Sequence, residues 1–152
     1  PVIGGKDNIN FNAGKIEVYD ADTWRPYCHV RDFARAISTV LEAPQERVYF
    51  NVFNAGGGTN NFTKGMLVER IGTFLPGAEI KYVSGDFDRR NYKVDFSKIM
   101  NFLYFTPTYS IEDGISELIT ALRQGVFADY ETRVNAYRNN KITYPVGTAE
   151  QK

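Results

Sequence analysis

The sequence predicts an α/β fold in which short strands alternate with helices. Two patterns support this prediction. Apolar and polar residues alternate around Ile16 and Val18, whereas apolar residues recur every three or four positions between Ile111 and Leu122. The chain has 152 residues, of which 43% are hydrophobic, and this is enough apolar surface to build a packed core. We therefore expect a globular protein.

The first part of the chain predicts two strands and a helix. Lys15 to Tyr19 alternates as a short strand, and Trp24 to Val30 follows as a second strand after a polar turn. Asp32 stands where the N-cap of a helix is expected. The helix after it carries apolar residues at the spacing of one buried face: Phe33, Ala36, Ile37, Val40 and Leu41.

The same alternation continues through the middle of the chain. The aromatic and β-branched run from Val48 to Phe53 predicts a buried strand. An amphipathic helix follows, with Asn61 or Thr63 as its cap. Its apolar positions are Met66, Leu67, Ile71 and Phe74. Glu79 to Val83 predicts another strand, and residues 96–102 predict a short helix.

The clearest helix signal lies further on, where Ser110 is the expected N-cap. Asp113 follows at the position that completes a capping box, and Gly125 is the expected terminator. A further helix is predicted near Tyr130 to Arg138. These elements suggest an irregular lead-in over residues 1–13, a main domain over 14–125, and a C-terminal helix and tail over 126–152.

Charge and cysteine content argue against several classes of function. Eighteen basic and eighteen acidic side chains leave no net charge, so neither nucleic acid nor a membrane is expected as a partner. Cys28 is the single cysteine and cannot form an internal disulfide, which favours a reducing, cytoplasmic setting. The chain opens at Pro1 without a methionine, and we expect it to be a fragment of a longer protein.

Four segments of the sequence resemble a known family when they are taken in order. They are WRPYCHVRDFARAI, VFNAGG followed by NNFT, DRRNYKVDFSKI, and SIEDGISELI. Together they resemble the extended short-chain dehydrogenases, and more narrowly the nucleotide-sugar epimerases and dehydratases, over residues 14–125. The resemblance implies the C-terminal, substrate-side part of a Rossmann-type fold. The N-terminal cofactor-binding half is expected to be missing from this chain.

The resemblance also implies a reaction for the intact protein. With NAD or NADP it would oxidise a sugar hydroxyl to a keto intermediate, epimerise or dehydrate that intermediate, and return the hydride. This chain alone is expected to bind a small nucleotide-sugar, to bind no cofactor and to be inactive, and a homodimer remains open. Two alternatives stand beside this hypothesis: a free-standing, non-catalytic ligand-binding or interaction module, and a related reductase with a non-nucleotide substrate.

Four substrate-binding residues follow from the resemblance: Arg25, Asn61, Arg90 and Tyr92. The guanidinium forks of Arg25 and Arg90 suit the oxygens of a diphosphate, and Tyr92 is expected to place its loop. For Asn61, a helix cap and a ligand contact are equally favoured.

Each arginine also has a simpler interpretation. Arg25 would be a surface arginine on a strand, and Arg90 would belong to a solvated cluster with Asp86, Asp88 and Arg89. Many family members carry Arg-Pro-Gly just upstream of this loop, where this chain has SGD over residues 84–86. The phosphate contact expected from that arginine is therefore not predicted here.

No catalytic or metal-binding residue is predicted. His29 is the single histidine and has no cysteine pair to share a metal with, so we interpret it as a packed, hydrogen-bonded residue. Gly56 to Gly58 lack the spacing of a phosphate-binding loop and are interpreted as a connection between a strand and a helix. Tyr137 and Lys141 form a Tyr-x-x-x-Lys pattern that chance explains in a chain rich in both residues.

Overall fold

Strands and helices alternate along the chain as expected. The computed structural model describes residues 9–12, 14–83 and 90–129. Its elements are β1 (Ile9–Asn12), β2 (Lys15–Tyr19), β3 (Trp24–Pro26), α1 (Val30–Glu42), α2 (Gln45–Val48), β4 (Asn61–Thr63), α3 (Lys64–Phe74), β5 (Glu79–Val83), α4 (Ser97–Leu103) and α5 (Ile111–Arg123). Gly58–Asn60 forms a single 3₁₀ turn just before β4.

The strands form two small sheets. In the first, β2 is central: it pairs with β1 antiparallel and with β5 parallel, so that Lys15 faces Glu79. Ile16 and Val18 of β2 are fully buried and pack against Val68 of α3, as alternation along a half-buried strand requires. The second sheet is the antiparallel pair β3 and β4.

A second apolar core lies between α1 and α4. Its buried members are Ala36, Phe96, Ile99, Leu103 and Phe105. Partly buried side chains from the segment between α1 and β4 pack on it, among them Val48 and Phe53. This core holds α1 and the segment after it against the rest of the described chain.

The ends of the later helices agree with the predicted caps. The Ser110 side chain accepts from the backbone N–H of Asp113, whose carboxylate accepts from the backbone N–H of Ser110, and together they form the capping box. The Gly125 N–H donates to the carbonyl of Leu122 and closes α5. At α3 the cap is Thr63, which accepts from the N–H of Met66.

The predicted N-cap and buried face of α1 were wrong. His29, and not Asp32, is the N-cap, because its side chain accepts from the N–H of Arg31. Asp32 lies in the first turn and is fully buried. Asp32, Ala36 and Val40, spaced four residues apart, form the line that faces the interior. The rest of the predicted buried face is largely exposed: Phe33, Ile37 and Leu41.

Two strand predictions also need correction. The strand predicted over Trp24 to Val30 ends at Pro26, since α1 already begins at Val30. The strand predicted from Val48 to Phe53 is absent from the described residues, where α2 ends at Val48 and the chain then turns. Conversely, β1 forms within the lead-in that was expected to be irregular. The helix predicted near residues 130–138 lies outside the described residues.

Over residues 9–12, 14–83 and 90–129, no helix is both long and apolar enough to cross a bilayer.

Candidate functional site

The segment 90–94 lies along one edge of β3. The backbone N–H and C=O groups of alternate residues in a strand point to opposite edges, and those of Trp24 point away from β4. Its N–H donates to the side-chain oxygen of Asn91 at 2.9 Å, and its carbonyl accepts from the N–H of Tyr92 at 3.5 Å. The structure thereby brings all four predicted site residues to one region, which we call the β3 edge: Arg25 on β3, Asn61 on β4, and Arg90 and Tyr92 on the segment.

Asn61 ties the segment to β4. Its side-chain oxygen accepts from the N–H of Val94, and its side-chain amide donates to the carbonyl of the same residue, both at 3.0 Å. The amide also lies 3.4 Å from the carbonyl of Gly58. Since Thr63 caps α3, Asn61 has a role other than capping. These contacts make it a positioning residue, and its contact with a ligand stays a prediction.

Arg25 is anchored at the middle of the β3 edge. It is half-buried. Its Nη1 donates to the backbone carbonyl of Trp24 at 2.7 Å and also to the backbone carbonyl of Arg90. Its guanidinium carbon lies 5.6 Å from the centre of the Tyr92 ring, within the range of a cation–π contact. The hydrogen bond to Arg90 joins the Arg25 side chain to the backbone of the segment.

Two further residues of this region were missed from the sequence. Asn91 holds the segment to β3 through Trp24, and the Lys93 ammonium lies 3.6 Å from the centre of the Trp24 ring. Both contacts join positions far apart in the chain, and only their place between Arg90 and Val94 in the motif pointed to them. Lys93 adds a third cationic residue to the β3 edge.

The alternative for Arg90, a charge cluster with acidic neighbours, rests on residues 84–89. These residues lie outside the described chain. The ligand-binding interpretation of Arg90 and the solvated-cluster interpretation therefore both stay predictions.

His29 occupies a separate, structural cluster. Its Nε2 lies 3.0 Å from Oε2 of Glu117, and its ring stacks on Tyr109 with the ring centres 4.4 Å apart. Arg31 pairs with the other oxygen of Glu117 at 3.2 Å. The interpretation of His29 as a packed, hydrogen-bonded residue is confirmed, and its cluster joins the start of α1 to α5.

Cys28, next to this cluster, is not set up as a nucleophile. Burial raises the pKa of the Cys28 thiol, and the nearby carboxylate of Asp32 raises it further. A raised pKa keeps the thiol protonated and unreactive at neutral pH.

The glycine run is explained by packing. A Cβ on Gly56 would lie 2.6 Å from the ring of Phe96, and a Cβ on Gly57 would lie 2.5 Å from Pro107. These glycines let the backbone approach Phe96 and Pro107 closely. In the described residues the run joins the segment after α2 to the turn before β4, and not a strand to a helix as predicted.

Within the part of the chain that the structure describes, no three His, Cys, Asp or Glu side chains are grouped to hold a metal ion. The Tyr-x-x-x-Lys pattern at residues 137–141 lies outside that part.

Comparison with known proteins gives consistent sequence matches. The model of the NAD dependent epimerase/dehydratase family matches residues 7–56. A dTDP-glucose 4,6-dehydratase from Actinoplanes is 32% identical over 114 residues, covering 71% of this chain and 34% of that protein. CDP-abequose synthase from Salmonella typhimurium is 24% identical over 120 residues, covering 76% and 40%. The chain thus spans 34% to 40% of the length of these curated relatives.

Solved structures show the same fold. The dTDP-glucose 4,6-dehydratase of Bacillus anthracis, in complex with NAD, is 32% identical with a TM-score of 0.57, covering 72% of this chain and 34% of its own. L-threonine dehydrogenase from Phytophthora infestans has a TM-score of 0.64 at 14% identity, covering 74% and 38%. At that identity the second match speaks for the fold alone.

These matches show a Rossmann-type fold similar to that of the extended short-chain dehydrogenases. Within that class, the chain is similar to the NAD-dependent epimerase/dehydratase family. The resemblance stated from the four ordered segments is therefore confirmed.

Proposed function

We propose that this chain forms the nucleotide-diphosphate-sugar binding part of an NAD(P)-dependent nucleotide-sugar epimerase or dehydratase. The observation that carries the proposal is that Arg25 and two residues of the segment beside it, Arg90 and Lys93, lie at the β3 edge. In a chain without net charge, three cationic residues in one region favour an anion such as a diphosphate. Two relatives are named as enzymes of CDP- and dTDP-sugars, which supports the same ligand class.

Each residue of the β3 edge has a distinct part in this proposal. Arg25 and Arg90 donate to phosphate oxygens, Tyr92 places the segment beside Arg25, and Asn61 holds it through Val94. The stacked and hydrogen-bonded Arg25 is already ordered, so less side-chain entropy is lost when it binds. The proposal concerns binding, and no residue of this chain is assigned a chemical step.

NAD or NADP belongs to the intact, longer protein in this proposal. When bound there, it takes a hydride from the sugar and later returns it. The described residues supply no dinucleotide cradle, so we expect the chain alone to bind no cofactor and to be inactive. The intact protein is proposed to be cytoplasmic, and a homodimer is compatible with this function.

The proposal is tested by titrating free nucleoside diphosphates into the labelled chain and following backbone amide chemical shifts. We expect shifts at residues 24–26, 61 and 90–94, with weak affinity. Arg25→Ala should weaken binding by at least about tenfold, the loss of one charge-assisted hydrogen bond. Arg123→Ala at the end of α5 is the matched control and should bind normally.

Two outcomes would contradict the proposal. Equal affinity of the Arg25 and Arg123 variants would remove the arginine contact. No response of either this chain or the longer protein to any nucleoside diphosphate would favour a reductase with a non-nucleotide substrate. A coding sequence that truly begins near Pro1 would instead favour a free-standing binding module.

A further inference from the structure

An apolar groove with a volume of about 320 Å³ lies where α3 and α5 end. Its lining includes Phe74 at the end of α3, Leu75 and Ala78 in the turn that follows, and Arg123 at the end of α5. The first three side chains are only partly buried, and Arg123 is exposed. An engineered cavity of roughly 150 Å³ holds one benzene ring, so this groove has room for two aromatic side chains.

One line of α5 becomes steadily less buried as it approaches the groove. Ile115, Ile119 and Arg123 follow one another at intervals of four residues and therefore lie on the same side of the helix. Ile115 is buried, Ile119 is partly buried and Arg123 is exposed. An amphipathic helix ordinarily buries its apolar stripe along its whole length. Within the described residues, the end of α5 and the groove beside it are thus incompletely covered.

The chain reverses direction at this end of α5. Gly125 has a φ of +72°, its N–H donates to the carbonyl of Leu122, and the N–H of Val126 donates to the carbonyl of Ala121 at 3.0 Å. This pair of hydrogen bonds is a Schellman motif, in which a left-handed residue ends the helix. Residue 130 follows five positions later, which is at most about 18 Å of extended chain. The next segment therefore starts within reach of the groove.

Residues 130–138 have the sequence pattern of an amphipathic helix. Tyr130, Val134 and Tyr137 are spaced by four and then three positions, which places them on one helix face. The opposite positions are polar or charged: Glu131, Thr132 and Asn135. So short a helix is marginal in water on its own, and it needs an apolar surface to pack against. Its apolar face carries two aromatic rings, the number that the groove can hold.

We infer that residues 130–138 cover the groove as a helix that packs Tyr130, Val134 and Tyr137 against Leu75 and Ala78. The short connection to α5 favours this occupant, because a tethered partner has a high effective concentration at the surface it binds. The inference goes beyond nucleotide-sugar binding, since it assigns the segment after α5 to the same folding unit as α3 and α5.

Magnetic resonance tests the contact directly in the 152-residue chain. We expect nuclear Overhauser effects between the ring protons of Tyr130 or Tyr137 and the methyl groups of Leu75 and Ala78. Their absence would overturn the inference. A mixture of labelled and unlabelled chains separates contacts within one molecule from contacts between two. Contacts found only between molecules would show that a second copy fills the groove, and would overturn the inference as well.

Two truncations measure what the segment contributes to stability. A chain that ends after Asp129 lacks the proposed cover, and its Tm should fall by at least about 5 °C because the groove and its apolar partners are exposed to water. A chain that ends after Arg138 keeps the cover and is the matched control, with the Tm of the full chain. Equal Tm values for the two truncated chains would contradict the inference.

A pair of point variants tests which face of the segment is packed. Val134→Asp places a charge on the side that faces the groove, so it should lower the Tm about as much as the truncation after Asp129 and remove the ring-to-methyl contacts. Asn135→Asp adds the same charge at the next position, on the opposite side, and should leave both unchanged. If the two variants behave alike, the segment does not pack through Val134 and the inference fails.

Discussion

The buried carboxylate of Asp32 accepts a hydrogen bond from the backbone N–H of Tyr109 at 2.9 Å. Both of its oxygens also lie 3.0 Å from the N–H of Thr108, and Arg35 pairs with it at 3.1 Å. One side chain thus connects the first turn of α1 to the segment that leads into α5. A buried carboxylate is tolerated here because it is both paired and hydrogen-bonded.

Asp32→Ala should lower the free energy of unfolding by about 3 kcal/mol, because two backbone N–H groups lose their buried acceptor. Asp32→Ser separates this role from capping. Serine is an excellent N-cap, but its side chain is too short to accept the hydrogen bonds from Thr108 and Tyr109. It should therefore destabilise the chain as much as alanine does. Urea unfolding measures the stability of both variants. A near-normal stability of Asp32→Ser would indicate that Asp32 acts as the helix cap.

Gly57→Ala should cost about 1–3 kcal/mol, because the new methyl group would overlap Pro107 and force the loop off the second core. Gly58→Ala is the matched control, since no atom lies within 4 Å of the Cβ it would add. We expect thermal unfolding to distinguish the two neighbours clearly. Equal stabilities of the two variants would contradict the predicted overlap between the new methyl group and Pro107.

The capping box of α5 should make stability depend on pH. Hydrogen bonds from the side chain and then the backbone of Ser110 lower the pKa of Asp113, and the nearby His29 acts in the same direction. Because the folded pKa lies below the unfolded value of about 3.9, the carboxylate stabilises the fold above that value. This contribution is lost as the pH falls through the folded pKa.

The stability difference between the wild type and Asp113→Asn should therefore be largest at neutral pH and shrink in acid. Denaturant unfolding at a series of pH values measures it. A difference that does not vary with pH would contradict the assignment. Ser110→Ala removes the hydroxyl of the same box and should cost about 1 kcal/mol at neutral pH.

The neutral imidazole of His29 should carry its proton on Nε2. The N–H of Arg31 donates to Nδ1, so that nitrogen must present a lone pair, and Nε2 is left to donate to Glu117. Long-range proton–nitrogen correlation spectra distinguish the two tautomers. A proton on Nδ1 would mean that the ring does not cap α1.

Asn61→Ala should free the 90–94 segment from β4. It removes both hydrogen bonds to Val94, so the amide of Val94 should exchange faster and nucleoside diphosphates should bind more weakly. Arg25→Ala should weaken binding while leaving Val94 protected. If both variants leave that amide equally protected, Asn61 would not be a positioning residue.

Helix ends were predictable because their chemistry is local. Ser110, Asp113 and Thr63 cap helices through atoms within three residues in the chain. The orientation of α1 was not predictable. The face that it turns to the interior is set by Asp32, which accepts hydrogen bonds from the backbone N–H groups of Thr108 and Tyr109. A cap and a buried anchor use the same residue type at almost the same place, and only the distant partners distinguish them.

The sequence named four residues that meet at the β3 edge but not the contacts between them, and their role in binding stays a prediction. The ordered segments named Arg25, Asn61, Arg90 and Tyr92, whereas the double hydrogen bond from Asn61 to Val94 and the contact of Lys93 with Trp24 join residues far apart in sequence. The run from Val48 to Phe53 shows the reverse case. Its composition favours a strand, but a strand forms only where a partner supplies hydrogen bonds.

The parallel pairing of β2 with β5 has a consequence for synthesis. Lys15 pairs with Glu79, so β2 leaves the ribosome while β5 and the helix before it are still untranslated. Closing so large a loop is costly before the contacts it brings are made. During that interval one edge of β2 is available to other nascent chains, and crowded, rapid expression should therefore favour aggregation over folding.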